Sequence, residues 1–209
     1  MYLPTHFSET RPEVLHDLMC AHPLGTLVTV TQGEASADEL PFVLDPAAGT
    51  LGTLRGHVAR ANPVAQLGSG EHEVLAIFRG PHAYISPSWY PSKAAHGKAV
   101  PTWNYVIVQA KGRLRVVDND AEWLRSQLEA MTNSQESGRP HPWSVGDAPD
   151  DYLAQMMRAI VGIEITIDAL VGKWKVSQNR DAADRAGVVN ALACEPSDVA
   201  HAMSQLIPD

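Results

Sequence analysis

The chain has 209 residues, 44% of them hydrophobic and 19% charged, enough for one sizeable core and too little for several independent domains. Its 16 basic and 24 acidic residues leave a net charge of −8, which argues against a surface built for long polyanions. Two distant cysteines, Cys20 and Cys194, exclude a disulfide scaffold or a paired-cysteine metal cluster.

No apolar run approaches the roughly 20 residues of a membrane-spanning helix. Met1–Phe7 lacks the basic-then-apolar pattern of a secretion signal, so a cytoplasmic protein is expected. In chain order, residues 10–21 predict a helix, with Pro12 in its first turn and Val14, Leu15, Leu18 and Met19 on one face. His22-Pro23 ends it, and the Val-, Leu- and Thr-rich alternation of 24–31 predicts a strand. Gln32-Gly33 begins a turn to a return strand at 39–44, and Asp45-Pro46 with Gly49 leads into a strand at 50–55. A short helical segment is expected over 59–67, around Asn62-Pro63. Gly80-Pro81 divides two short strands, 73–78 and 83–85. The longest β signal is 103–117, with Gly112 as an expected bulge.

Helices are expected at about 120–131 and 150–160, with a polar, mobile loop at 133–147 between them. Strands at 163–170 and 173–176 pair around Gly172, and helices at about 181–193 and 197–206 close the chain. Short hairpins with helices at the ends predict an antiparallel barrel. A single domain is expected over 1–209, with the barrel running to 180 and a helical extension at 181–209.

Charge is unevenly spread. The stretches 46–70, 79–115 and 171–180 contain no acid yet hold 11 of the 16 basic residues. Brought together, they make a focused positive site on an acidic body, which suits a small anion. Segregation of strands from acidic helices produces the same pattern without a site.

Three segments carry side chains with chemistry. Five of the 13 aromatic residues (Tyr84, Trp89, Tyr90, Trp103 and Tyr105) lie close together with Ser86, Ser88, Thr102 and Asn104. They suit a slot for a flat heterocycle, although composition alone favours rings that plug the barrel or a dimer interface. In Gly56-His57-Val58-Ala59-Arg60-Ala61-Asn62-Pro63, a strand ends in Gly and places His57 and Arg60 at a helix start. Such a turn can aim side chains and amides at a phosphate, but a capped, solvated helix start looks the same. In Trp174-Lys175-Val176-Ser177-Gln178-Asn179-Arg180, Lys175, Ser177 and Asn179 alternate and on a strand would share one face. They offer a cation, a hydroxyl and an amide to a phosphate or ring carbonyl, or they merely exit to solvent.

The nine histidines show no metal-ligand spacing, so no metal site is expected. No Gly-x-Ser-x-Gly elbow, Walker loop or Gly-x-Gly-x-x-Gly is present, so no serine nucleophile and no standard nucleotide fold is expected.

Taken together, five segments resemble the PaiB family of FMN-binding negative transcriptional regulators. They are Met1-Tyr2-x-Pro4-x-His6-Phe7, Gly56–Pro63, Phe78-x-Gly80-Pro81-x-Ala83-Tyr84-Ile85-Ser86-Pro87-Ser88-Trp89-Tyr90, Val100-Pro101-Thr102-Trp103-Asn104-Tyr105 and Lys173–Asn179. The resemblance runs from residue 1 to about 180. It implies an FMN-binding split β-barrel of mixed α+β, mainly β, class, similar to pyridoxamine-phosphate-oxidase-like flavoproteins, with peripheral helices. It further implies a homodimer with FMN at the subunit interface, and a regulator of sporulation or degradative-enzyme genes. On that basis His57, Arg60 and Asn62 are expected at the phosphate. Lys175, Ser177, Gln178 and Asn179 are expected at the ribityl chain or ring edge, and Tyr84, Trp103 and Asn104 along the ring.

The last two helices carry none of these motifs. Residues 181–209 hold five acids against the single base Arg185, which does not suit a helix entering a DNA groove. Direct DNA contact would fall to the Lys93–Lys98 and Arg139 loops. Two functional readings follow from the resemblance: a flavin-binding regulator or redox sensor, or an FMN-dependent oxidoreductase or flavin reductase using the same pocket. Flavin chemistry belongs to the cofactor, so no catalytic side chain is assigned. His82 and His96 flank the aromatic segment as proton donors or as plain loop histidines. A third reading is a dimeric interaction module with little or no flavin affinity.

Overall fold

The computed structural model describes residues 1–208. Its strands are β1 (Ser8–Glu9), β2 (Leu24–Thr31), β3 (Glu34–Pro41), β4 (Val43–Asp45), β5 (Thr53–Ala59), β6 (His72–Ile85), β7 (Thr102–Val117) and β8 (Ile160–Lys175). The helices are α1 (Pro12–Ala21), α2 (Ser92–His96), α3 (Ala121–Glu136), α4 (Asp150–Arg158), α5 (Ala182–Cys194) and α6 (Asp198–Ser204). One antiparallel sheet has the order β3-β2-β6-β7-β8-β5-β4, with β1 paired to β8. Sheet and helices together make the expected α+β split barrel.

Two compact units are interleaved along the chain. One comprises Met1–Leu18, Arg79–Val108 and Val171–Asp209; the other comprises Met19–Phe78 and Gln109–Leu170. In the first, Phe7, Leu15, Ile85, Val106, Leu192 and Met203 are buried. The second is built around Leu27, Leu54, Phe78, Leu114, Ile163 and Ile165, each no more than 1% exposed. There β2 pairs with β3 over its whole length, from Leu24↔Pro41 to Thr31↔Glu34, and β5 pairs with β8 from Thr53↔Thr166 to Ala59↔Ile160.

Several expected breaks are absent. Gly80-Pro81 does not divide the chain, because β6 runs unbroken from His72 to Ile85. The burial phase changes there instead: Val74, Ala76, Phe78 and Gly80 are buried, and beyond the proline Ala83 and Ile85. One extra residue in a strand does this, as a β-bulge does, and it turns His82 and Tyr84 outward. Gly112 is not the bulge, since alternate burial continues from Asn104 to Leu114 through it. A Cβ at Gly112 would lie 2.2 Å from the Thr166 carbonyl oxygen, so glycine is needed there for close backbone approach.

Gly172 does not separate two strands either; it pairs with Glu9 inside the continuous β8. The expected mobile loop at 133–147 is shorter, because α3 continues to Glu136 and a 3-10 turn forms at Val145–Asp147. The 59–67 helix reduces to a 3-10 turn at Pro63–Gln66.

Candidate functional site

The pleat of β7 sorts the aromatic segment. Successive strand residues face opposite sides, so Trp103 is exposed and Asn104 is 1% exposed. The outward Trp103 meets the outward Tyr84 of β6 edge to face, with centroids 5.8 Å apart and planes at 73°. His82 lies 6.5 Å from Trp103 at 31°. The Tyr84–Trp103 pair therefore makes a corner rather than two parallel walls of a slot.

Trp103 and His82 line two cavities. One, of about 530 Å³, also has Arg79 and Tyr105 in its wall. The other, of about 580 Å³, has Tyr84 and Trp89. Both volumes suit a small organic molecule.

Lys175 is the last residue of β8, and its ammonium donates to Thr102 Oγ1 at 2.5 Å and to the Trp103 carbonyl oxygen. The strand alternation expected over 175–179 stops there, because Ser177 has φ +63° and the chain turns. The buried Ser177 hydroxyl and Asn104 amide bond each other, with Asn104 Nδ2 donating to Ser177 Oγ at 2.9 Å. Gln178 closes the turn on itself: its Oε1 accepts from Val176 N–H at 2.8 Å, and its Nε2 donates to the Trp174 carbonyl. Asn179 is exposed.

Two further cations lie near Lys175. Burial first, then the charges of Lys173 and Arg180, pushes the Lys175 ammonium below the usual lysine range. Lys173, 8% exposed, donates to the Tyr2 carbonyl oxygen at 3.1 Å and stands 5.3 Å from the Tyr105 ring centroid. Arg180 lies 4.7 Å over the Tyr90 ring. Among the described residues none of these three cations has a carboxylate partner within salt-bridge distance. Among the described residues the buried Tyr90 hydroxyl has no hydrogen-bond partner.

His57, Arg60 and Asn62 belong to the other unit, and each side chain has partners there. His57 Nδ1 donates to Gln127 Oε1 at 3.0 Å. Arg60 makes a two-pronged ion pair with Asp118, at 3.0 and 3.2 Å, and its Nε donates to the Arg158 carbonyl. That pairing holds the Asp118 carboxyl below the usual range. Asn62 caps the following turn by accepting from Val64 N–H at 2.8 Å, and donates to Asp38 at 2.9 Å.

Within one unit the structure thus brings together Tyr84, Trp103, Asn104, Lys175, Ser177 and Gln178. The sequence placed Tyr105 in the aromatic slot without giving it a separate role, and left Lys173, Arg180 and Arg79 outside the expected site. The signal for them was present: all four lie in acid-free stretches, and Lys173 and Lys175 are two apart on one strand.

Comparison with known proteins agrees with this architecture. The family model described as "Putative FMN-binding domain" matches residues 1–169. "Uncharacterized protein AN0679" of Emericella nidulans is 35% identical over 99% of this chain and 96% of its own length. "Protease synthase and sporulation protein PAI 2" of Bacillus subtilis is 32% identical over 100% of this chain and 97% of its own. Among solved structures, the FAD and heme binding protein from Mycobacterium smegmatis superposes with a TM-score of 0.58 at 19% identity, over 80% of this chain and 73% of that one, a likeness of fold. With the family model spanning most of the chain and PAI 2 matched end to end, the chain belongs to the PaiB family of FMN-binding domains.

Proposed function

We propose that this protein is a homodimeric, flavin-dependent negative transcriptional regulator that holds FMN against the Trp103–Lys175 face. The observation that carries the cofactor site is the gathering of Lys173, Lys175 and Arg180 without a carboxylate partner among the described residues. Desolvated like charges are costly, and a bound anion offsets that cost. The phosphate of FMN supplies the charge and the acceptor oxygens, and the Tyr90 hydroxyl beside Arg180 is a donor with no present acceptor.

The donor set therefore fits the group. Lys175 binds the anion, and Trp103 offers an exposed ring to the isoalloxazine. Asn104 and Ser177 hold the turn that follows Lys175, and Gln178 stiffens it. When bound, FMN supplies one- and two-electron transfer, and the chain supplies orientation and electrostatics.

The regulator reading draws on the relative PAI 2, whose name links it to protease synthesis and sporulation. In this chain α5 and α6 carry a single base, and Arg185 is bonded to the carbonyls of Arg180 and Pro208. A flavin-dependent change in protein contacts or dimerisation is therefore a better route to regulation than a helix in a DNA groove.

Titrating FMN into wild type, Lys175→Ala and Arg60→Ala tests the site. A charge-assisted contact is worth about 1.5–3 kcal/mol, so Lys175→Ala should bind roughly 10- to 100-fold more weakly. Arg60→Ala, which loses an exposed ion pair with Asp118, should change little. A loss confined to Arg60→Ala would move the phosphate to the 56–63 segment. The oxidoreductase reading is favoured by one feature, the second cavity that shares Trp103 and leaves room for a reactant. NAD(P)H oxidation that requires FMN would establish it.

A further inference from the structure

The cavity beside Tyr84 has a wall that the matched family domain does not supply. Its far side is made by Leu192 at the end of α5, Glu195 in the connecting turn, and Ser197, Val199 and Ala200 around the start of α6. All of these lie beyond residue 169, where the family match ends.

This wall is fixed to the aromatic segment at two points. The buried Asp184 carboxylate accepts from Ser92 N–H at 3.0 Å and from the Ser92 hydroxyl at 2.7 Å. One turn further along α5, a Cβ on Gly187 would lie 2.1 Å from the Trp89 carbonyl oxygen, so helix and aromatic turn are in direct backbone contact. The cavity is therefore built by packed elements rather than by a loose tail.

Its chemistry is specific. Tyr84, Trp89 and Trp103 present electron-rich rings, and the 73° angle between Tyr84 and Trp103 gives a compact guest two ring surfaces at once. Glu195 is half-buried, and its carboxylate accepts no hydrogen bond and forms no ion pair among the described residues. Among the described residues no Lys or Arg lines this cavity, whereas Arg79 lines the other cavity on Trp103 and Lys173 stands near its Tyr105.

We propose that this cavity binds a small organic cation, an alkylammonium group enclosed by Tyr84, Trp89 and Trp103 with Glu195 as its counter-charge. Aromatic faces attract a cation within about 6 Å of the ring centroid, and most strongly when it is desolvated. A carboxylate without a partner supplies the remaining charge. The proposal deepens the flavin reading, on which it rests for what lies across Trp103, by naming the class of molecule that shares the site; binding of the cation itself does not require FMN.

The test is calorimetric titration of the full chain with choline and, separately, with its uncharged isostere dimethylbutanol. Choline should bind, and the isostere should bind at least about tenfold more weakly. Glu195→Gln and Trp89→Leu should each weaken choline by about tenfold while FMN titration of the same variants stays at the wild-type value. Absence of choline binding by the wild type, equal affinity for the isostere, or an unchanged Glu195→Gln would overturn the proposal. Loss of FMN binding by the wild type would instead remove the flavin reading and leave the cation site standing on the choline result.

Discussion

Glu9 shows how a single side chain can set part of the pH response. Its carboxylate accepts from Thr10 N–H and Arg11 N–H, both at 2.9 Å, and from the Arg11 guanidinium at 2.6 and 3.0 Å. The Arg11 guanidinium beside it holds the Glu9 carboxyl at about 2. A depressed carboxyl favours the folded state above its ordinary titration range, and that contribution disappears as pH falls towards 2. Glu9→Gln should therefore cost about 1 kcal/mol near neutral pH, the upper end for an exposed pair. The difference from wild type should vanish as pH falls towards 2 in urea melts; a gap that persists there would mean the effect is not electrostatic. At this same scale the sequence made Lys175, Ser177 and Trp103 visible, because residue type and spacing suffice for candidates. That Asn104 faces away from Trp103 follows from the alternation of the expected strand, but the sequence could not show that Ser177 leaves the strand, since that depends on where β8 ends.

The elements were legible where periodicity is long and were misread where glycine or proline interrupts it. Strand β2 matches its expected bounds of 24–31, and Asp120, Asp181 and Ser197 each cap a helix where one was expected. Neither Gly80-Pro81, expected as a break, nor Gly112, expected as a bulge, plays that role. The first pair shifts the pleat and aims Tyr84 outward, and Gly112 lets β7 approach the Thr166 carbonyl. Local propensity does not distinguish a break from a bulge or a close approach, because the deciding atoms belong to other strands. Gly112→Ala should accordingly destabilise the protein by about 1–3 kcal/mol, the usual range for overpacking. Chemical denaturation reads this directly, and a variant as stable as wild type would mean the backbone shifts freely to admit a methyl group.

For the whole molecule, charge segregation is the property that composition alone concealed. A single acid-free stretch, 171–180, supplies Lys173, Lys175 and Arg180, while Arg55 and Arg60 of the stretch 46–70 are ion-paired with Glu164 and Asp118, so the expected convergence of the stretches is not seen for these two. No helix is long and apolar enough to cross a membrane among the described residues. With a net charge of −8 and a C-terminal segment of five acids against one base, salt-resistant DNA binding is not expected. In a fluorescence-anisotropy titration at about 150 mM salt, duplex DNA should bind no more tightly than the 10⁻⁴–10⁻⁶ M range of non-specific complexes. A nanomolar complex would require the Lys93–Lys98 or Arg139 loops to act as a groove reader. Homodimer formation lies beyond sequence periodicity and is tested separately by sedimentation with and without FMN.

The most direct measurement is the absorbance and fluorescence of the purified protein before and after addition of FMN, repeated with Lys175→Ala. Flavin bands in the purified protein, or quenched FMN fluorescence on titration that weakens roughly 10- to 100-fold in the variant, is the result expected. A colourless protein that leaves FMN fluorescence unchanged would contradict the cofactor site and reduce the barrel to an interaction module.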